Sequence, residues 1–86
     1  MKENSEFNLI TQAVVKRVNK LLAEKNMTLY RLERNSGILH GTMSSLMRGK
    51  TKDISFSLVV LLAHGFNMGV IEFLDDPLFK YEHLNV

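Results

Sequence analysis

Apolar residues recur at helical spacing along much of the chain, and turn-forming residues separate the runs. The first run has steps of three and four residues, which predicts an amphipathic helix that ends near residues 25 and 26: Phe7, Ile10, Val14, Val18 and Leu21. Thr28 suits the N-cap of a short second helix over residues 29–35. Gly37 follows where the chain needs a positive φ, so we expect a turn there.

The third predicted helix, over residues 40–48, has one apolar side and one polar side. The apolar side carries Met43, Leu46 and Met47, and the other side carries small or polar residues: Gly41, Ser44, Ser45 and Arg48. Gly49 suits the end of this helix. The pattern therefore predicts two short helices joined by a glycine turn, the second with a polar outer face.

The second half of the chain is more apolar. Ser55 suits the N-cap of a fourth helix that is apolar around its whole axis, so we expect it to be central and covered on all sides. Residues 70–74 predict a fifth short helix. We interpret Asp75 and Asp76, which come before Pro77, as a polar break in the chain with no further role. We expect an all-α, compact five-helix domain over residues 1–86, with its core at about 7–76 and a tail at 77–86.

Charge is divided unevenly along the chain. Residues 10–52 contain nine Lys and Arg against two Glu, whereas residues 53–86 contain one Lys against five Asp and Glu. We expect the basic part to meet a polyanion and the acidic part to face solvent or a protein partner. A solvated helix surface is the alternative interpretation of the same cations.

The stretch from residue 27 to residue 50, MTLYRLERNSGILHGTMSSLMRGK, resembles the helix-turn-helix of the lambda-repressor and Cro-like (XRE-type) family. The resemblance continues through residues 54–74 and spans about residues 10–76. It implies a DNA-binding protein whose third helix enters a DNA groove.

The resemblance also assigns positions to the contacts with DNA. The base-facing positions lie on the third helix: His40, Gly41, Thr42, Ser44 and Ser45. The phosphate-facing positions lie at the start of the second helix and in the loop after the third: Thr28, Leu29, Arg48, Lys50, Thr51 and Lys52. For His40, a solvated surface histidine is the alternative.

Three positions depart from the family pattern. Leu29 replaces a common glutamine, Leu39 replaces a common Ser or Thr cap, and Gly41 weakens a helix by about 1 kcal/mol relative to alanine. We therefore expect the third helix to fray when free. Residues 40–47 contain no Arg, Asn or Gln for bidentate base contacts, so we expect modest specificity at each site.

The sequence argues against several other functions. It has no cysteine, and its three histidines lack a short ligand spacing, so we expect no metal site and no cofactor. No nucleophile is paired with a base, so we expect no enzyme activity. The longest apolar stretch is too short for a membrane span, and residues 1–6 lack the apolar region of a signal peptide, so we expect a cytoplasmic protein that does not enter the membrane.

The sequence thus favours a prokaryotic or phage-type transcriptional regulator that binds double-stranded DNA. A single short helix contacts few base pairs, so we expect a homodimer on two half-sites. An apolar excess in the C-terminal half suggests that this half forms the dimer; it comprises residues 58–62, Ile71, Phe73, Leu78, Phe79 and Tyr81. The alternative is a protein-interaction module on the same fold, an antitoxin or adaptor, whose C-terminal half binds a protein partner.

Overall fold

The computed structural model describes residues 9–84, apart from the side chains of residues 82 and 83, and all regular elements in that range are helical. They are α1 (Leu9–Glu24), α2 (Leu29–Ser36), α3 (His40–Met47), α4 (Phe56–Gly65), α5 (Val70–Leu74), a 3-10 helix (Pro77–Phe79) and α6 (Tyr81–Leu84). The all-α prediction with its five helices is confirmed, and the tail adds the 3-10 helix and α6. Phe7, which was assigned to the first helix, lies outside the described residues.

Local sequence signals set the helix boundaries as predicted. The Thr28 hydroxyl accepts a hydrogen bond from the Arg31 amide at the start of α2 (3.1 Å), and the Ser55 hydroxyl accepts one from the Leu58 amide at the start of α4 (3.1 Å). Gly37 ends α2 with φ +78°. Each polar cap satisfies a backbone N–H that the first helical turn leaves without a carbonyl partner.

The helices share one hydrophobic core. Its most completely buried large side chains come from all of the first five helices and the turn after α4: Val14, Val18, Leu32, Met43, Leu46, Leu62, Phe66 and Phe73. The rings of Phe66 and Phe73 stack with centroids 6.4 Å apart. Contacts of α2 with α4, of α4 with α5, and of α1 with α3 and the tail enclose this core.

The outer face of α4 corrects one prediction. Val59, Leu62 and Ala63 are buried, but Phe56 is 65% exposed and Val60 and Leu61 are about 40% exposed. The prediction that α4 is covered on all sides was wrong, because α2 and α5 occupy only part of its circumference. An apolar stripe of α4, defined as Phe56, Val60 and Leu61, therefore remains on the surface.

Arg17 of α1 is the main polar link between α1 and the C-terminal segment. Its side chain is 9% exposed, and its Nε donates to the carbonyl of Phe73 (2.7 Å) while Nη2 donates to the carbonyl of Glu72 (3.2 Å). Its Nη1 lies 3.2 Å from Oδ2 of Asp76. Arg17 therefore satisfies carbonyls at the end of α5 as well as pairing with a carboxylate.

Asp76 completes this link from the other side. Its Oδ2 also accepts a hydrogen bond from Lys20 Nζ (2.8 Å), and its Oδ1 accepts one from the Leu78 amide (2.9 Å) at the start of the 3-10 helix. The side chain is 5% exposed. The interpretation of Asp76 as a polar break in the chain with no further role was wrong, because its carboxylate pairs with Arg17 across 59 residues of sequence. Arg17, which belongs to the basic part of the chain, is therefore not available to a polyanion.

We predict that acid removes the stabilisation that Asp76 contributes. The hydrogen bond from Lys20, the amide of Leu78 and the positive charges of Lys20 and Arg17 hold the pKa of Asp76 below its ordinary value of 3.8. The contribution to the free energy of unfolding is therefore complete above about pH 5, and it is lost as the pH falls through 3.8 toward the lower folded pKa. Urea unfolding over a pH series measures it.

The Asp76→Asn variant should be less stable at neutral pH and should lose less of its remaining stability on acidification. The matched control is Asp75→Asn, which changes the exposed carboxylate next in sequence and should keep the parent's acid dependence. Parallel pH profiles for the parent and Asp76→Asn would contradict the proposed role of this carboxylate.

The close packing of α2 against α4 depends on Gly65. A Cβ added at Gly65 would lie 2.7 Å from Cδ1 of Leu32 and 2.8 Å from Cβ of Ser36, both on α2. The side-chain Nδ2 of Asn35 also donates to the Gly65 carbonyl (3.4 Å). No side chain fits between the two helices at this position, so the absence of one lets α2 approach α4.

We predict that Gly65→Ala destabilises the fold by about 1–3 kcal/mol, since the added methyl group overpacks the core. The matched control is Gly41→Ala on α3, where an added Cβ meets no atom within 4 Å. The control should be neutral or should stabilise by up to about 1 kcal/mol. Urea unfolding followed by circular dichroism measures both, and equal stability of the two variants would contradict the close-packing argument.

Candidate nucleic-acid interface

The turn between α2 and α3 is fixed by hydrogen bonds to the last residues of α2 and by one buried side chain. The Gly37 amide donates to the Glu33 carbonyl (3.0 Å), and the Ile38 amide donates to the Ser36 hydroxyl (3.2 Å). The Ile38 side chain is buried in the core. These contacts hold α3 in a defined orientation to α2, as the helix-turn-helix prediction requires.

Packing determines which side of α3 faces outward. Met43 and Leu46 are fully buried, and Met47 packs against the core. Of the five residues predicted to face bases, His40, Gly41 and Thr42 are exposed and Ser44 and Ser45 are half-buried. The predicted polar face of α3 therefore lies on the surface.

Leu39, at the N-cap of α3, is an exposed apolar residue of the turn. Its side chain forms no capping hydrogen bond, yet α3 is helical from His40 onward. Leu39 is 76% exposed. The fraying of α3 in the free protein stays a prediction. The sequence had indicated Leu39 as unusual, because helix N-caps favour polar residues.

Glu33 is a residue of this surface that the sequence analysis did not single out. Its carboxylate oxygens lie 3.1 and 3.2 Å from Nδ1 of His40, so a side chain of α2 contacts the first residue of α3. Glu33 is 12% exposed, whereas His40 is 82% exposed. The only sequence signal was an ionisable pair seven residues apart across the turn.

An open cavity of about 480 Å³ lies at the start of α2. It is lined by two cations, the capping threonine and neighbouring residues: Lys25, Asn26, Met27, Thr28, Arg31 and Asn35. Thr28 is exposed and Leu29 is half-buried. The positive end of the helix dipole and the side chains of Lys25 and Arg31 make this a favourable environment for an anion.

The loop after α3 presents the other predicted phosphate contacts. Arg48, Lys50 and Lys52 are exposed and Thr51 is half-buried. The backbone of this loop is fixed at two points: the Lys50 amide donates to the Ser45 carbonyl (2.9 Å), and the Lys52 carbonyl accepts from the buried Thr11 hydroxyl (3.1 Å). Helix α1 thereby anchors the backbone of the loop, and the cationic side chains of the loop are exposed to solvent.

Two of the nine cations of residues 10–52 pair with Asp76, the buried Arg17 and the exposed Lys20. The other seven are exposed: Lys16, Lys25, Arg31, Arg34, Arg48, Lys50 and Lys52. Among the described side chains, those of residues 9–81 and 84, no cluster of three or more His, Asp or Glu could hold a metal ion. None of the helices described is both long and apolar enough to cross a bilayer.

Comparison with known protein families identifies the fold that carries this surface. The family model of the Cro/C1-type HTH DNA-binding domain matches residues 17–76, which is more than half of the chain and contains α2, the turn and α3. Searches of curated proteins and of solved structures gave no significant match. The resemblance to the lambda-repressor and Cro-like family is confirmed, and this family consists of DNA-binding domains rather than enzymes. The chain belongs to the Cro/C1-type helix-turn-helix DNA-binding family.

Proposed function

We propose that this chain is a cytoplasmic transcriptional regulator that binds specific sites in double-stranded DNA as a two-fold dimer. One observation carries the proposal: α3 turns an exposed polar face outward, and the loop that follows it presents three exposed cations. A groove-reading helix needs the first feature, and binding to the DNA backbone needs the second.

In this proposal the outward face of α3 contacts base edges in the major groove. The contacting residues are His40, Gly41, Thr42, Ser44 and Ser45. Serine and threonine hydroxyls can both donate and accept, so they discriminate bases less strongly than a bidentate arginine or asparagine does. Gly41 contributes by allowing close approach, since no atom lies within 4 Å of the space that its Cβ would fill.

Phosphate contacts come from two places. The amides of Thr28 and Leu29 lie in the first turn of α2, where backbone N–H groups have no intrahelical carbonyl partner and can bind an anion. The second place is the loop after α3, which we call the clamp: Arg48, Lys50, Thr51 and Lys52. The clamp positions the protein on DNA without reading sequence.

We predict that replacing Arg48, Lys50 and Lys52 with Gln flattens the salt dependence of DNA binding. Each cation that neutralises a phosphate releases counterions, so the slope of log affinity against log salt should fall in magnitude by about 2–3 units for the triple variant. Fluorescence anisotropy on a labelled duplex over a salt series measures the slope.

The matched control is Lys80→Gln, which removes an exposed cation from the segment after the 3-10 helix and should change the slope much less. Circular dichroism checks that both variants remain folded. Equal slopes for the triple variant and the parent would contradict the clamp, and no salt-dependent DNA binding by the parent would overturn the proposed function.

Dimerisation is proposed through the C-terminal half of the chain. Among the residues that suggested it, Leu62 and Phe73 are fully buried and belong to the core. The remaining exposed apolar residues are Val60 and Leu61 of the stripe, together with Ile71 (78% exposed) and Tyr81 (74% exposed). Burial of such side chains against a second copy would remove apolar area from water and thereby favour a dimer, which carries one α3 for each of two half-sites.

We predict that the parent forms dimers and that Phe56→Lys with Val60→Lys forms monomers, because two buried charges would oppose association of the stripe. Sedimentation equilibrium at roughly tens of micromolar, a range suited to weak dimers, measures the mass. Leu39→Lys is the matched control, since it replaces an exposed apolar residue outside this half. A parent that is monomeric with and without DNA would contradict the dimer.

The exposed stripe of α4 also favours a second candidate function. In that case the chain is a protein-interaction module, an antitoxin or adaptor, and the stripe binds a different protein. Selection of bound fragments from random duplex DNA distinguishes the two candidates. A transcriptional regulator should enrich a specific sequence, whereas an interaction module should enrich none.

A further inference from the structure

Glu33 and His40 form a side-chain pair that connects the two helices of the helix-turn-helix. Both carboxylate oxygens of Glu33 lie within hydrogen-bond distance of Nδ1 of His40. The carboxylate is largely sheltered, whereas the imidazole is 82% exposed. The pair therefore joins a fixed acceptor on α2 to a ring that faces outward at the start of α3.

This arrangement determines where the imidazole carries its proton. An ionised carboxylate can only accept hydrogen bonds, so Nδ1 must be the protonated nitrogen of the neutral ring. Nε2 then has a free lone pair and acts only as an acceptor. In the other neutral tautomer the proton would lie on Nε2, so Nε2 would be a donor and Nδ1 would have no proton to give to Glu33.

In the part of the chain that the structure describes, no other charged group forms an ion pair with Glu33 or His40. On α3, His40 is the only ionisable residue. Arg34 of α2 donates instead to the Tyr30 hydroxyl (3.0 Å). The ionisable groups on the elements that pack against α2 and α3 form no ion pair with Glu33 or His40: Arg31 on α2, Lys16, Arg17, Lys20 and Glu24 on α1, and His64 on α4.

We propose that Glu33 sets the base preference of His40 by fixing its tautomer, an inference that rests on the proposed function. Neutral His40 presents an acceptor at Nε2, which suits the amino group of adenine or cytosine in the major groove. The Nε2-protonated tautomer would present a donor, which suits guanine O6 or N7, thymine O4 or adenine N7. Glu33 is thus a positioning residue that acts through His40 and touches no base.

The tautomer can be measured without DNA. Long-range proton–nitrogen NMR spectra of the labelled full chain at about pH 8, above the ordinary pKa of histidine, should show His40 protonated at Nδ1 and bare at Nε2. Glu33→Gln keeps the shape of the side chain but can donate to the ring, so the Nε2-protonated form should increase. A bare Nδ1 in the parent, or identical spectra for the two proteins, would overturn the inference.

The base preference is measured by selection from a pool of random duplexes at about pH 8. One position of the selected site should favour C, which offers His40 only a donor, over G and T, which offer only acceptors. Glu33→Gln should weaken or reverse this preference, because Nε2 then carries the proton in part of the molecules. The preference should be about 2- to 12-fold, the value of one hydrogen bond.

His40→Ala is the matched control. It should lose the preference at that position, and adding Glu33→Gln to it should change nothing further. A loss of affinity in His40→Ala that is equal for all sequences would place His40 on phosphate and overturn the inference. DNA binding with an unchanged preference in Glu33→Gln would overturn it alone, whereas no DNA binding by the parent would overturn the proposed function as well.

Discussion

The burial of one side of α3 is the constraint on which the DNA-binding surface depends. Met43 and Leu46 have no exposed area, and full burial of such a side chain stabilises the fold by about 1.5–3 kcal/mol. Rotation of α3 about its axis would expose both side chains to water. Their burial therefore determines which residues of α3 face outward. Two further features fix the position of α2 beside α3. Gly65 lets α4 approach α2 closely, and Ile38 of the turn is buried in the core.

A second set of contacts connects the far end of the chain to this surface. Asp76 binds Arg17, Arg17 lies on α1, and Thr11 of the same helix donates to the carbonyl of Lys52 in the clamp. Asp76 of the acidic C-terminal segment thus neutralises the buried Arg17 and pairs with the exposed Lys20, whereas the cations of the clamp face solvent. The uneven charge of the chain is therefore partly structural, and only its exposed part is available to a polyanion.

Local signals in the sequence predicted much of this architecture, and long-range ones were missed. The caps at Thr28 and Ser55, the turn at Gly37 and the two sides of α3 follow from spacing and backbone chemistry within a few residues. The Arg17–Asp76 pair, the contact of Glu33 with His40 and the exposed stripe of α4 depend on which helices meet in space. Hydropathy identifies an apolar helix, but it does not tell which of its sides a small domain can cover.

The most direct test of the account is an NMR titration of the isotope-labelled chain with a short random-sequence duplex at low salt. The account predicts that the amide signals that shift most lie in three places: residues 28–29 at the start of α2, residues 40–45 on α3 and residues 48–52 in the clamp. Shifts confined to the stripe of α4 and to α5, with those three places unchanged, would contradict the claim that α3 is the helix that meets DNA.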